Sequence, residues 1–369
     1  MTATGDNRSV KTIRLSVDPA RLDSPGAGQA LDRAAAILRA GGLVAFPTET
    51  VYGLGANALD GAAVQRIFAA KRRPSWDPVI VHIAPAAGQA ARRDVMLSPL
   101  VREVPEAARR LIEAFWPGPL TLLLPRSSAV PDAVTAGRTL VGMRMPSHPV
   151  ALELIRRAGV PIAAPSANVF GHTSPTTADH VLHDLDGRID AILDAGPATH
   201  GVESTVLDPT QSPMVIYRPG AVTAARIREV AGRVTMFRGG AEPIETPAQP
   251  LAAPGLGLRH YAPKARLILL DFPLDQLSRE LARAAASLLG ERMGIMLPAE
   301  VTLPASTAAA EIYAWGRWHA PEELAHNLYA GLRALDARRC TVILCPLPPE
   351  EGIGAALRDR LRKAAHPGI

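Results

Sequence analysis

The stretch that most limits how this chain can fold runs from Gly42 to Ile83: GLVAFPTETVYGLGANALDGAAVQRIFAAKRRPSWDPVIVHI. Its periodicity predicts a buried strand over Leu43–Phe46, a loop over Pro47–Gly55, a helix over Ala62–Ala70 with Val64, Ile67 and Phe68 on one face, and a second strand over Val79–Ile83. The first strand empties into Thr48, Glu49, Thr50 and Tyr52, and the helix delivers Lys71 and Arg73 just before the next strand. Hydroxyls and cations therefore collect at one end of a sheet, the end where open α/β sheets take their ligands.

The remaining chain extends the same theme. Aromatic residues are only 4% of the composition, so Ala, Leu, Val and Ile must fill the core, which suits helices alternating with strands. A lead-in over residues 1–25, with one strand at Thr12–Val17, precedes a helix at Gln29–Arg39 that stops on Gly41-Gly42. Beyond Ile83 come a helix over Val101–Phe115, a rigid turn at Trp116–Pro119, strands at Leu120–Leu124 and Val141–Met145, and a helix at Pro149–Arg157. A short strand, Ile162–Ala164, then opens into Pro165-Ser166-Ala167-Asn168. A helix at Thr176–Leu182, strands at Ala191–Leu193, Thr205–Leu207 and Val215–Tyr217, and a helix at Ala224–Ala231 complete a mixed-sheet domain spanning 26–234. Gly, Pro, Ala and Glu dominate the linker that follows, assigned to 235–264, yet it ends in Arg259-His260-Tyr261-Ala262-Pro263-Lys264, more side-chain chemistry than a spacer needs. From 265 to 369 strand and helix alternate as in a small parallel sheet: strands Arg266–Leu270, Met293–Leu297 and Thr341–Leu344, helices Leu274–Leu289, Pro321–Leu335 and Gly354–Ala364.

Several function classes are set aside at this level. No run of eighteen apolar residues and no basic-then-apolar N-terminus occurs, so the expectation is a cytoplasmic protein with no membrane partner. The two cysteines, Cys340 and Cys345, flank the apolar run TVIL without His or Cys at zinc-finger spacing, and are expected as buried thiols. A net charge of +5 decides little about partners. More pointed is the cation usage: four lysines stand against thirty-six arginines, so a retained lysine such as Lys71 suggests a need for a compact ammonium.

Gly53-Leu54-Gly55-Ala56-Asn57-Ala58 matches G-x-G-x-x-A, but six residues separate the strand from the first glycine, and Lys71, Arg73 and Asp77 stand where a ribose-binding carboxylate should close a strand. The glycines read better as a turning loop. Lys71-Arg72-Arg73-Pro74 could merely complement a helix dipole; beside a hydroxyl loop it also suits phosphate. A triphosphate brings its own magnesium, so no protein metal cage is expected. Arg144, inside the apolar strand VGMRM, needs either a buried partner or a substrate carboxylate. His82, also within a strand, reads by default as a core histidine. Gly201-Val202-Glu203-Ser204-Thr205 lacks the second glycine of a nucleophile elbow, and Ser204 counts only as a polar donor.

Taken together, FPTETVYGLG, the K-x-R-P turn, PVIVHI, FWPGPLTLLL, VGMRMP, PSAN with Ser174-Pro175-Thr176, GVESTV, YRPG and HYAPKA resemble the threonylcarbamoyl-AMP synthase family in its two-domain form. The resemblance implies a YrdC-like open mixed sheet with helices, followed by a small Rossmann-like parallel α/β domain. It implies a reaction joining L-threonine, bicarbonate and ATP, with Mg2+, into threonylcarbamoyl-AMP and pyrophosphate. The product would serve a downstream threonylcarbamoyl-transferase machinery that modifies the adenosine beside the tRNA anticodon. By the same resemblance Thr50, His82, Arg144, Ala164 and Ser204 would surround threonine. Lys71, Arg73, Asp77, Leu140, Ser166, Ser174, Arg218 and Tyr261 would hold ATP, with Asn168 beside Ser166 near the phosphates; Lys71, Arg73, Ser166 and Asn168 would be the catalytic set. Two positions depart from the family pattern. Asp77 puts a carboxylate where Asn is common, tolerable next to phosphate only if it meets magnesium or Arg73, and Leu140 replaces a common Thr.

The alternative is a double-stranded RNA-binding or ribosome-maturation module of the same fold, making weak RNA contacts through a basic concave face. A relative using carbamoyl phosphate, as in hydrogenase maturation, would need zinc-finger cysteines that this chain lacks.

Overall fold

Two sheets, each formed by one part of the chain, carry the architecture. The computed structural model describes residues 11–85, 94–237, 251–253, 260–288, 290–303, 307 and 309–365. Most of the expected linker, with Arg259, and the first ten residues of the lead-in lie outside the described residues.

The first sheet holds β1 (Ile13–Ser16), β2 (Val44–Phe46), β3 (Gly53–Asn57), β4 (Ile80–His82), β5 (Leu120–Pro125), β6 (Leu140–Arg144), β7 (Ile162–Ala163), β8 (Ala191–Asp194), β9 (Thr205–Asp208), β10 (Met214–Arg218) and β11 (Val234–Met236). Their order is β1-β8-β2-β3-β7-β4-β6-β5-β9-β10-β11, with parallel and antiparallel neighbours mixed. The second holds β12 (Arg266–Leu270), β13 (Met293–Pro298), β14 (Glu311–Gly316) and β15 (Val342–Pro346), all parallel, in the order β12-β15-β13-β14. The mixed sheet and the small parallel sheet are those expected.

Both faces of the large sheet are covered, which is why its strands read as unbroken apolar runs. Val44 and Phe46 join Leu31, Leu38, Leu154 and Ile155 of the helices Pro25–Arg39 and Pro149–Ala158. Ala45, between them, joins Val64, Ile67 and Leu111 of the helices Gly61–Lys71 and Glu106–Phe115 on the opposite face.

The structure corrects several local expectations. The stretch taken as a glycine loop is partly strand: β3 pairs antiparallel with β2, Phe46 opposite Gly53 and Val44 opposite Gly55. A Cβ on Gly55 would lie 2.8 Å from both Ile162 Cγ2 and Phe46 Cε1, so this glycine admits a neighbouring strand rather than turning the chain. The helix expected from Val101 begins at Glu106, because Pro105 occupies its N-cap and Val101 bridges to Arg126 instead. The helix expected at Thr176 begins at Ala178, capped by Thr177. β11 and β14 were not foreseen. Cys340 and Cys345 are buried and unbridged. Among the described residues no helix is long and apolar enough to cross a membrane.

Candidate active site

The polar ends of β2, β4, β6, β7 and β10 open on one cleft of about 550 Å3, counting its mouth. Each strand is apolar until it leaves the core, and the first residues beyond that point carry the chemistry. In this way Thr48 and Thr50 after β2, His82 ending β4, Arg144 ending β6, and Ala164, Pro165 and Ser166 after β7 reach one wall. Parallel pairing of β4 and β6 sets His82 directly beside Arg144. A second part of the wall is formed by Arg73, Glu203, Ser204 and Arg218, and His260 and Tyr261 arrive from the end of the linker.

On the first wall Arg144 answers the question raised by its apolar strand, for its partner is Glu49. Arg144 Nη2 lies 2.7 Å from Glu49 Oε1, Nη1 donates to Thr50 Oγ1 at 3.0 Å, and Nε donates to the Gly118 carbonyl at 3.4 Å. A guanidinium has five N–H donors, so two remain for a substrate carboxylate. Burial pushes the Glu49 carboxyl upward, but the Arg144 charge together with hydrogen bonds from Arg144 and the backbone holds the acid below its ordinary value. Burial first, and Arg144 second, push His82 down to about 3, so this imidazole is neutral in the cleft. Its Nδ1 is buried without a hydrogen-bond partner. Thr50 and Thr48 share a hydroxyl contact of 2.8 Å.

On the second wall Arg218 donates to the Ser204 carbonyl at 3.1 Å and to its Oγ at 3.2 Å, and that Oγ is also 2.8 Å from Thr121 Oγ1. Arg73 Nη2 pairs with Asp77 Oδ1 at 2.9 Å and donates to the Pro78 carbonyl at 2.8 Å, while Nε donates to the Asp77 carbonyl at 3.1 Å. Asp77 is thus the counterion of Arg73, which removes the difficulty of a lone carboxylate near phosphate.

Five of the expected residues lie off the cleft wall. Lys71 is fully buried and its Nζ donates to the carbonyls of Ser166 and Asn168, so it braces the loop that carries Ser166. Asn168 Nδ2 donates within that loop, to the Val169 and His172 carbonyls at 2.8 Å each. Ser174 is buried with its hydroxyl on Glu203 Oε1 at 2.6 Å, and Asp77 stands behind Arg73. Leu140 begins β6, the strand that Arg144 ends, and packs with Leu123, Val206 and Ala253. Thr50, Arg73, His82, Arg144, Ala164, Ser166, Ser204, Arg218 and Tyr261 do meet.

Glu49, Glu203 and His260 were not singled out from the sequence. Glu49 belongs to the PTET loop and His260 to the polar cluster closing the linker, so signals existed for both. Glu203 had none beyond its place before Ser204, because its partners Tyr329 and Arg360 are more than a hundred residues downstream.

The end of the linker is seated by the backbone: Ala262 N donates to the Gly171 carbonyl at 2.9 Å and Thr173 Oγ1 donates to the Tyr261 carbonyl at 3.4 Å. Tyr261 sits at φ +66°, which turns it back into the cleft, and the His260 and Tyr261 rings are 4.3 Å apart. The Tyr261 hydroxyl and both His260 nitrogens are buried without hydrogen-bond partners among the described residues. Burial, aided by Glu203, pushes the Tyr261 hydroxyl up to about 12, and burial with the nearby Arg73 and Lys71 charges pushes His260 well below its usual range. Both rings are therefore neutral and hold hydrogen-bonding capacity that no group among the described residues uses.

Comparison with known proteins agrees with this geometry. Residues 36–220 match the family described as Telomere recombination, which groups Sua5, YciO and YrdC, and residues 222–366 match the Threonylcarbamoyl-AMP synthase, C-terminal domain. Threonylcarbamoyl-AMP synthase of Pyrococcus abyssi is 43% identical over 90% of this chain and 93% of its own length. Its Bacillus subtilis counterpart is 43% identical over 90% of this chain and 92% of its own length. A crystal structure of P. abyssi Sua5 complexed with L-threonine matches with a TM-score of 0.86 at 41% identity, covering 96% of this chain and 98% of that one.

Proposed function

The chain belongs to the threonylcarbamoyl-AMP synthase family, and from that premise we propose how the two walls of its cleft divide the work. The wall of Thr50, His82, Arg144 and Ala164, with Ser204, takes L-threonine, and the wall of Arg73, Arg218, His260 and Tyr261, with Ser166, takes ATP. The observation that carries this division is the segregation of chemistry. One wall offers a single guanidinium, paired with Glu49, beside the neutral His82, while the other brings two guanidiniums, of which Arg73 is paired with Asp77, and two neutral rings with unused polar atoms.

On this reading threonine's carboxylate takes the two spare donors of Arg144. Its amine condenses with bicarbonate to a carbamate, releasing water; a carbamate oxygen then attacks the α-phosphorus and pyrophosphate leaves. No side-chain nucleophile is needed, and catalysis rests on holding the two reactants in line and on cations beside the phosphates. Among the described residues no group of three or more His, Cys, Asp or Glu side chains is placed to hold a metal. We assign Mg2+ to the triphosphate, where it would offset phosphate charge. The neutral state of His82 matters here, since an imidazolium beside Arg144 would repel a threonine ammonium. The RNA-binding alternative without synthase activity is not favoured by relatives that carry the synthase name across nine-tenths of this chain.

The test is pyrophosphate release by purified protein given ATP, Mg2+, bicarbonate and L-threonine. Release should depend on threonine and should fall at least a hundredfold in Arg144→Ala and in Arg218→Ala. Threonine-independent release, or release undiminished in both variants, would overturn the division of the cleft.

A further inference from the structure

Glu203 is held at both oxygens, and most of its partners come from the C-terminal part of the chain. Ser174 donates to Oε1 at 2.6 Å; Tyr329, on the helix Pro321–Ala337, donates to Oε2 at 2.9 Å; and Arg360, on the helix Gly354–Ala365, donates from Nε to the same oxygen at 2.8 Å. Arg360 is fully buried, its Nη1 pairs with Asp359 at 2.6 Å, and its guanidinium lies 5.3 Å from the Tyr261 ring centre. The Tyr329 ring stacks on Tyr261 at 5.8 Å. The two residues that grip Glu203 are therefore the two that support the linker tyrosine.

A mere brace between domains would not require this cluster. Burying a guanidinium completely is costly, and hydrophobic packing joins domains without that cost. What the cluster adds is register. It fixes Glu203 beside Ser204, whose carbonyl and hydroxyl hold the Arg218 guanidinium, and it packs on the ring of Tyr261, which lines the cleft. The approach is tight on the backbone as well: a Cβ on Gly201, at φ +72°, would lie 2.3 Å from the Ala325 carbonyl of the helix bearing Tyr329.

We propose that Arg360 and Tyr329 are positioning residues of the nucleotide half of the cleft, acting through Glu203 and Tyr261, so that the C-terminal domain completes the site for ATP. The proposal rests on the assignment of that wall to ATP.

The experiment measures ATP and L-threonine affinities separately, by calorimetry on the full chain, alongside KM values and thermal midpoints. Tyr329→Phe keeps the ring stack and removes one hydroxyl; it should weaken ATP at least threefold and leave L-threonine within twofold. Arg360→Lys should weaken ATP about tenfold. Because a lone buried charge can unfold the protein, the paired variant Glu203→Gln with Arg360→Met removes both charges at once. A simple brace would recover midpoint and ATP affinity together, whereas positioning predicts a recovered midpoint with ATP still weakened. Unchanged ATP affinity in Tyr329→Phe and in every folded Arg360 variant overturns the proposal. Arg73→Ala and Arg218→Ala separate the underlying assignment: if these lose ATP while Tyr329→Phe and the Arg360 variants do not, the wall is correctly assigned and the coupling alone fails.

Discussion

Arg144 and Glu49 form an ion pair of 2.7 Å in which both side chains are about 95% buried, at the end of a strand that is otherwise apolar. The pair lets a cation exist at that depth, and it leaves part of the guanidinium free for a substrate. Deleting the cation alone strands a carboxylate. Arg144→Ala should therefore cost about 3–5 kcal/mol of stability in urea denaturation besides losing activity. Glu49→Gln should raise the KM for L-threonine severalfold with a smaller stability loss, because the amide no longer balances the guanidinium. An Arg144→Ala protein within 1 kcal/mol of wild type would contradict the pairing.

Lys71 makes a separate case, since its ammonium serves two loop carbonyls and does not line the cleft. Lys71→Met should destabilise the chain by about 1–3 kcal/mol through the unsatisfied carbonyls. It should also raise the KM for ATP, because Ser166 rides on that loop. Lys71→Arg should rescue neither property, as a planar fork does not fit where a point donor sits. Full rescue by arginine would show that charge alone is at stake.

Tyr261→Phe separates binding from folding. The hydroxyl it removes is buried and has no hydrogen-bond partner among the described residues, so its loss should leave the thermal midpoint unchanged or slightly raised. ATP affinity should drop by about threefold or more. A lowered midpoint with normal affinity would mark the hydroxyl as structural.

Stability should fall on acidification below about pH 6.5. His82 is pushed from 6.5 to about 3 by burial and by Arg144, so between those values the unfolded chain binds a proton that the folded chain refuses. Glu49 and Glu203, both held below their ordinary value, add loss of the same sign at lower pH. In a series of melts from pH 7 to 5, His82→Gln should show a shallower decline than wild type. An identical slope would mean that His82 titrates normally.

Gly55→Ala tests the corrected strand. Its methyl group would meet Ile162 and Phe46 at 2.8 Å, closer than carbon atoms pack, so a loss of about 1–3 kcal/mol is expected. A flexible loop would accept alanine, and a neutral result in denaturation would argue against the β2–β3 pairing.

Much of the large sheet and half of its site were legible because strand and chemistry are written consecutively. Apolar runs end in PTET, in His82, in Arg144 and in PSAN, and the end of a buried strand is where side chains meet solvent and ligand. β3 was misread because glycine has poor strand propensity, and only its neighbours Ile162 and Phe46 explain it. β14 was missed because EIYAWG pairs on one side only and mixes polar with aromatic residues, so it lacks the apolar run of a central strand. Lys71 was recognised as unusual for a sound reason, the scarcity of lysine, but scarcity does not say which way an ammonium points. The Glu203 cluster was beyond reach: nothing local distinguishes Arg360 among thirty-six arginines.

The grip of Arg360 on Glu203 spans 157 residues of chain, which bears on how the protein is made. Translation at roughly 5–20 residues per second leaves Glu203 outside the ribosome for on the order of ten seconds or more before Arg360 follows. Throughout that interval Glu203 lacks the Arg360 guanidinium and has Arg218, from its own domain, as its nearby cation. On the proposed coupling, a half-made chain would hold ATP more weakly than the chain that has gained Tyr329 and Arg360.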